Sequence, residues 1–292
     1  IFFSFFLFLV TLFNYLIIFE LTYLFDVFLI AITIFITLYV FISKNYLVNF
    51  FYFNAKKLII AIFTIFFLVA LLPITDADSI AIHQLLANHI YLNGFNNINL
   101  FKDVEFLSLA NSEILLILSP ILKIENIGAL LNFLSLLLFF KVIQDQKKNF
   151  IFFIFSCPLI LFLVSTQKLQ LFFGILYLIL FIVVNEDLIK KKLEIFIFLS
   201  LLAFYASAKI NYILFAFPLY VYFLMIKKDN LKFIFISSLL IFTFIFCPIF
   251  LIKYIYFGNP IAPFFDGIFS TNRFLFDSYA LSLRSSEGWL QS

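Results

Sequence analysis

The sequence predicts an all-α fold, a polytopic bundle of transmembrane helices, and three observations carry that prediction. Of 292 residues, 65% are hydrophobic and only 12% charged, against roughly 25% charged in soluble domains, so a water-soluble globule is excluded. Apolar runs of about 18 residues or more, enough to cross ~30 Å of hydrocarbon, recur along the chain. These runs do not alternate in polarity as the strands of a membrane barrel do. The expected surroundings are therefore a lipid bilayer, and no nucleic-acid partner is expected. The net charge of +3 decides little, because the placement of the charges matters more than their sum.

Residues 1–42 exceed one crossing and are interrupted by Asn14, Glu20 and Asp26. They read as two spans, near 1–19 and 22–42, with Asp26 snorkelling close to the turn. The stretch 43–57 is a loop with an aromatic interfacial segment, and 58–75 is a third span. A polar excursion, 76–126, follows. Within it 79–92 reads as a helix on the membrane surface, with His83, Gln84, Asn88 and Tyr91 on one side. Ile82, Leu85, Leu86 and Ile90 fall on the other side, and Asn93-Gly94 stops the helix. The run 107–124 is apolar but broken by Asn111, Ser112, Glu113 and Pro120, so it is either a span or a second surface helix. Five or six more crossings follow, near 127–143, 150–166, 169–185, 193–208, 210–226 and 232–252.

Lysine placement decides the ambiguous run. Lys44, Lys56 and Lys57; Lys141, Lys147 and Lys148; Lys190, Lys191 and Lys192; and Lys227, Lys228 and Lys232 occupy four loops. The positive-inside rule puts all four on the cytoplasmic face. An even number of crossings must then join the first loop to the second, and the spans at 58–75 and 127–143 supply it. The run 107–124 is thus expected at the outer surface, and the total is about nine spans. The organisation expected is an N-terminal hairpin and cytoplasmic loop (1–57), a transmembrane core with its outer loop 76–126 (58–252), and an outer Asn-Pro loop with a polar tail (253–292). The chain starts at Ile1 and ends in a polar stretch, and it is read as a fragment. Cys157 and Cys247 each precede a proline inside an apolar run. They are expected to be small buried side chains beside proline kinks, outside any disulfide framework.

On this topology the polar residues gather at the outer face. Asp76 and Asp78 form a DxD pair where the third span ends, and both histidines of the protein follow, His83 and His89. One such aspartate suffices to cap a helix. Two carboxylates two residues apart can instead share a divalent metal, or divide into a general base and an orienting group. His83 is a candidate for binding substrate or shuttling protons, and His89 for a structural role. Lys168 in STQKLQ and Lys209 in SAKINY stand in short outer turns, against the positive-inside bias. Either they snorkel, or they hold a phosphate, which at about 4 Å gains ~4 kcal/mol at an effective dielectric near 20. Asn259 opens the rigid NPIAPFF stretch, and Arg273 in STNRF could pair with phosphate or a sugar acid.

The segments DADSIAIHQLLANHIYLNG, STQKLQLF and YFGNPIAPFF together resemble the GT-C class of membrane glycosyltransferases. The resemblance is to bacterial proteins related to the protein-mannosyl and aminoarabinose transferases. It implies a catalytic aspartate in the first large outer loop, Asp78 with Asp76 as its neighbour. A divalent metal on this pair is a possible cofactor. It implies a polyprenyl-phosphate-linked sugar as donor, a glycan or lipid as acceptor, inversion at the sugar, and a site on the periplasmic face of the bacterial inner membrane. Three departures stand against it: two spans precede the expected first one, Ile82 replaces a common aromatic, and no acid directly follows Asp78. The alternatives are a transporter or flippase of lipid-linked glycans and a non-catalytic membrane scaffold. A transporter would carry ionisable groups inside its helices.

Overall fold

A computed structural model describes residues 2–30, 57–75, 79–94, 109–143 and 157–261. The described residues are helical throughout, with no strand among them. In chain order they form α1 (Phe2–Ile18), a 3₁₀ turn (Thr22–Leu24) leading into helical residues 25–30, and α2 (Lys57–Ala70). A π-helical segment (Ser79–Gln84) runs into α3 (Leu85–Asn93), followed by the short α4 (Asn111–Leu115) and α5 (Leu118–Leu122). Then come α6 (Ile127–Ile143), α7 (Pro158–Ser165), α8 (Gln170–Asn185) and α9 (Lys192–Ala208). The 3₁₀ turn Ile210–Tyr212, α10 (Ile213–Ile226), α11 (Leu231–Ile241), a second π-helical segment (Phe242–Phe246) and α12 (Cys247–Phe257) complete the order.

Local chemistry sets the ends. Pro158 stands in the first turn of α7, where its missing N–H costs nothing. The Glu194 carboxylate accepts the backbone N–H groups of Lys190 and Lys191 at 2.8 and 2.9 Å and so fixes the start of α9. Gly94 and Gly258 close α3 and α12 at φ 60° and 69°, a conformation that favours glycine.

The helices sort into two compact units, one made of Leu21–Tyr91 and Leu116–Glu186, the other of Ile1–Glu20, Leu92–Leu115 and Asp187–Ser292. In the first, α6 packs against α2, α7 and α8. Phe63 of α2 meets Phe133 and Phe140 of α6 edge-on, with centroids 6.4 and 5.1 Å away. In the second, α9 packs against α1, α4, α10, α11 and the Phe242–Phe246 segment, and α1 against α12. Phe198 and Phe223 lie 4.4 Å apart at the contact of α9 with α10.

The exteriors are apolar as well. Helix α10 buries Ala216, Leu219 and Phe223 while Leu214 and Phe217 stand 74% and 65% exposed. A helix apolar all round suits lipid, not water. One described helical run, Lys228–Phe257, is long and apolar enough to cross a membrane, with 30 residues and an 18-residue stretch of mean hydropathy 2.6.

Several elements depart from the sequence reading. The run near 107–124 is two five-residue helices, and every residue of α4 is buried, packed on α1 and α9. Its polar residues, which left the run ambiguous in the sequence, find hydrogen-bond partners inside. The surface-helix segment begins as a π-helix, and His83 is buried with Leu86, Ala87 and Ile90. Those positions share one helical face, so the division into polar and apolar sides places His83 on the wrong one. Cys157, just before the helix start at Pro158, is exposed and Cys247 only half-buried, where both were expected to be buried; both cysteines are free thiols.

Candidate functional site

Of the residues singled out by sequence, Asp76, Asp78 and Arg273 lie outside the described residues. His83, His89 and Lys168 belong to the first unit, Lys209 and Asn259 to the second.

In the first unit, the turn between α7 and α8 is built around Asn132 of α6. Its Nδ2 donates to the carbonyls of Leu163 and Lys168, both at 2.9 Å, with Thr166 O at 3.3 Å. Its Oδ1 accepts the N–H of Phe172 at 3.0 Å, satisfying a donor in the first turn of α8. One fully buried amide therefore fixes both sides of the turn that carries Lys168. Gln167 is held separately. Its Oε1 accepts the N–H of Gly128 at 2.6 Å, and its own N–H donates to Ser79 Oγ at 3.1 Å. Glycine is required at 128, because a Cβ there would lie 2.3 Å from Gln167 Oε1 and 2.5 Å from Gln167 O.

The Ser79–Gln167 bond joins two segments 88 residues apart. Ser79 directly follows Asp78, and Gln167 directly precedes Lys168. In the same unit, a cleft of about 550 Å³ opens between the end of α2 and α7. Pro73 and Thr75 line it on one side and Phe162 and Ser165 on the other. The exit of α2 is braced by Asn126, whose Nδ2 donates to Leu72 O at 2.7 Å. The surface segment is braced in turn by Asp26, which accepts the Tyr91 hydroxyl at 2.9 and 3.1 Å. That hydrogen bond to the carboxylate pushes the Tyr91 phenol up from its usual range. Asp26, read from the sequence as snorkelling close to a turn, thus has a hydrogen-bond partner.

In the second unit, Lys209 sits in extended backbone between α9 and the next turn, and its carbonyl accepts the N–H of Tyr212. Asn259 is buried, and its Oδ1 accepts the N–H of Ile261 at 2.9 Å, an Asx turn that rigidifies the start of the Asn-Pro stretch.

The second unit also holds a polar cluster absent from the sequence-derived site. Asn14 of α1 donates to Asn111 Oδ1 at 2.8 Å, and Asn111 donates to Ser207 Oγ at 2.7 Å. Ser112 Oγ lies 2.7 Å from both Glu113 Oε2 and the carbonyl of Ala208, and its single hydrogen serves one of them at a time. Glu113 is 2% exposed and Lys253 6%, and the two lie within Coulombic range of each other. Lys253 borders a space of about 20 Å³ beside Ser207, room for roughly one water. The signal was present in the sequence: an Asn-Ser-Glu triplet inside an apolar run and a lone lysine at the end of the last span. Among the described residues, no group of three His, Cys, Asp or Glu side chains could hold a metal ion.

The fold and these sites define an all-helical protein, one of whose helical runs can span a bilayer. Comparison with protein-family models, with characterised proteins and with solved structures finds no match to this chain.

Proposed function

We propose that the chain is a nine-span inner-membrane glycosyltransferase that moves a sugar from a polyprenyl-phosphate donor to a glycan or lipid acceptor at the periplasmic face. The observation that supports it is the Ser79–Gln167 hydrogen bond, which ties the residue after Asp78 to the residue before Lys168. In this reading Asp78, with Asp76 as the alternative, takes the proton of the acceptor hydroxyl. The freed oxygen attacks the anomeric carbon, and the bond from that carbon to the phosphate oxygen breaks with inversion. Lys168 holds the departing lipid phosphate, whose negative charge grows as the bond breaks. A divalent cation on Asp76 and Asp78 would supply further charge neutralisation. The cleft beside Thr75 and Ser165 is large enough for a sugar.

The test is glycan transfer in membranes by Asp76→Asn and Asp78→Asn, made separately. One variant should lose at least a hundredfold in rate. Full activity in both removes the catalytic assignment.

A second reading, transport of a lipid-linked glycan, is favoured by Glu113 and Lys253. Ionisable groups buried among apolar helices mark translocation paths as well as structural cores. A flipping assay in liposomes with Glu113→Gln separates the two: a transporter loses flipping, whereas a transferase keeps sugar transfer if the variant folds.

A further inference from the structure

The Gln167 side chain is anchored at one end only. A backbone N–H can bond only to an acceptor, so the Gly128 contact fixes which end of the amide is oxygen. The Nε2 end is buried and has no hydrogen-bond acceptor among the described residues, in a residue only 2% exposed. An unsatisfied buried donor costs about 1–3 kcal/mol, and native folds keep such groups where something fills the gap. Three further features point to an anion. Lys168 is next in sequence. The 16-residue helix α8 begins at Gln170, so the positive end of its dipole is three residues away. The cleft lined by Ser165 reaches to within two residues of Gln167 along the chain.

We infer that Gln167 is a substrate-binding residue whose side-chain amide, with Lys168 and the start of α8, receives a phosphoryl oxygen of the lipid-linked substrate. This rests on the reading of the chain as a user of a lipid phosphate, and it adds a neutral, pre-anchored donor to the lysine. The donor is shielded from water, so little solvent competes once the phosphate arrives. Its geometry is held by Gly128 and Ser79, which makes the group selective for phosphate over alcohol.

The full-length chain in nanodiscs, titrated with decaprenyl phosphate and with decaprenol, tests it. Wild type should bind the phosphate at least tenfold more tightly than the alcohol. Gln167→Glu keeps the acceptor for Gly128 but removes the donor, and near-isosteric Gln167→Met removes the donor without adding charge. Both should lose about tenfold of that preference, and the Glu variant should unfold at nearly the wild-type temperature. In wild type, decaprenyl phosphate should slow hydrogen exchange across 163–172 more than decaprenol does, a readout that needs no variant. An intact preference in either folded variant, or equal protection by the two lipids, overturns the role of Gln167 and leaves the transferase reading standing. A wild-type chain that does not distinguish phosphate from alcohol overturns both.

Discussion

Gly128 and Asn132 together set the turn that carries Gln167 and Lys168, and they fail in different ways. Gly128→Ala drives a methyl group into the Gln167 backbone, whose Cα would lie 2.8 Å away, and a backbone cannot rotate aside. The expected loss is about 1–3 kcal/mol, seen as a lower unfolding temperature in detergent. Asn132→Asp keeps the acceptor for Phe172 but removes the donor to Leu163 and Lys168. It should destabilise by about 1–3 kcal/mol and raise proteolysis at the turn. Glu113 and Lys253 form the other residue-scale case. Removing one member of a buried opposite-charge pair costs about 3–5 kcal/mol, and removing both costs less than the sum. Glu113→Gln and Lys253→Met should each destabilise strongly, and the double variant should recover part of the loss. Additive losses in that cycle would show that the two charges do not interact. The sequence displayed every one of these side chains but not their depth. Glu113 read only as a polar interruption and Asn132 passed without remark inside a span, because whether such a residue faces water or a partner depends on helices far away in the chain.

Among the elements, the helix ends were the most legible part. Gly94 and the STQK and SAK turns fall where the sequence puts them, because they act through local backbone chemistry, whereas Pro158, expected as a kink inside a span, opens a helix. The π-helical segments were not legible, since an i to i+5 bond leaves no composition signal and depends on what a bulge packs against. His83 was misplaced for a different reason, since ordinary helical spacing already puts it on the face of Leu86, Ala87 and Ile90. Helix α5 ends against the usual preference, with Lys123 in the left-handed region at φ 56° where glycine is favoured. The cap is nonetheless complete: Ile124 N–H donates to Ser119 O, and Ser119 Oγ donates to Ile124 O. The exposed Lys123 makes the strain relievable by a single substitution. Lys123→Gly should stabilise by up to about 1 kcal/mol, measured as a higher unfolding temperature, with Lys123→Ala giving no gain.

For the whole molecule, the all-helical class was legible because the apolar runs do not alternate in polarity, and the described residues are helical with no strand among them. Topology is argued from charge alone, and one helix offers a direct ruler. Helix α9 has Lys191 just before it and Lys209 just after it. At 1.5 Å per residue the two lie about 27 Å apart along the axis, close to the thickness of the hydrocarbon core. If Lys190–Lys192 lie on the cytoplasmic face, Lys209 must lie on the other, the side proposed for the chemistry. With Cys157 and Cys247 first replaced by alanine, Lys191→Cys and Lys209→Cys can each be treated with a membrane-impermeant maleimide in cells with a permeabilised outer membrane. Lys209→Cys should label in these cells, and Lys191→Cys only after the inner membrane is opened. If both label from the same side, α9 does not cross, and the nine-span topology and the placement of the site at the outer face fall together.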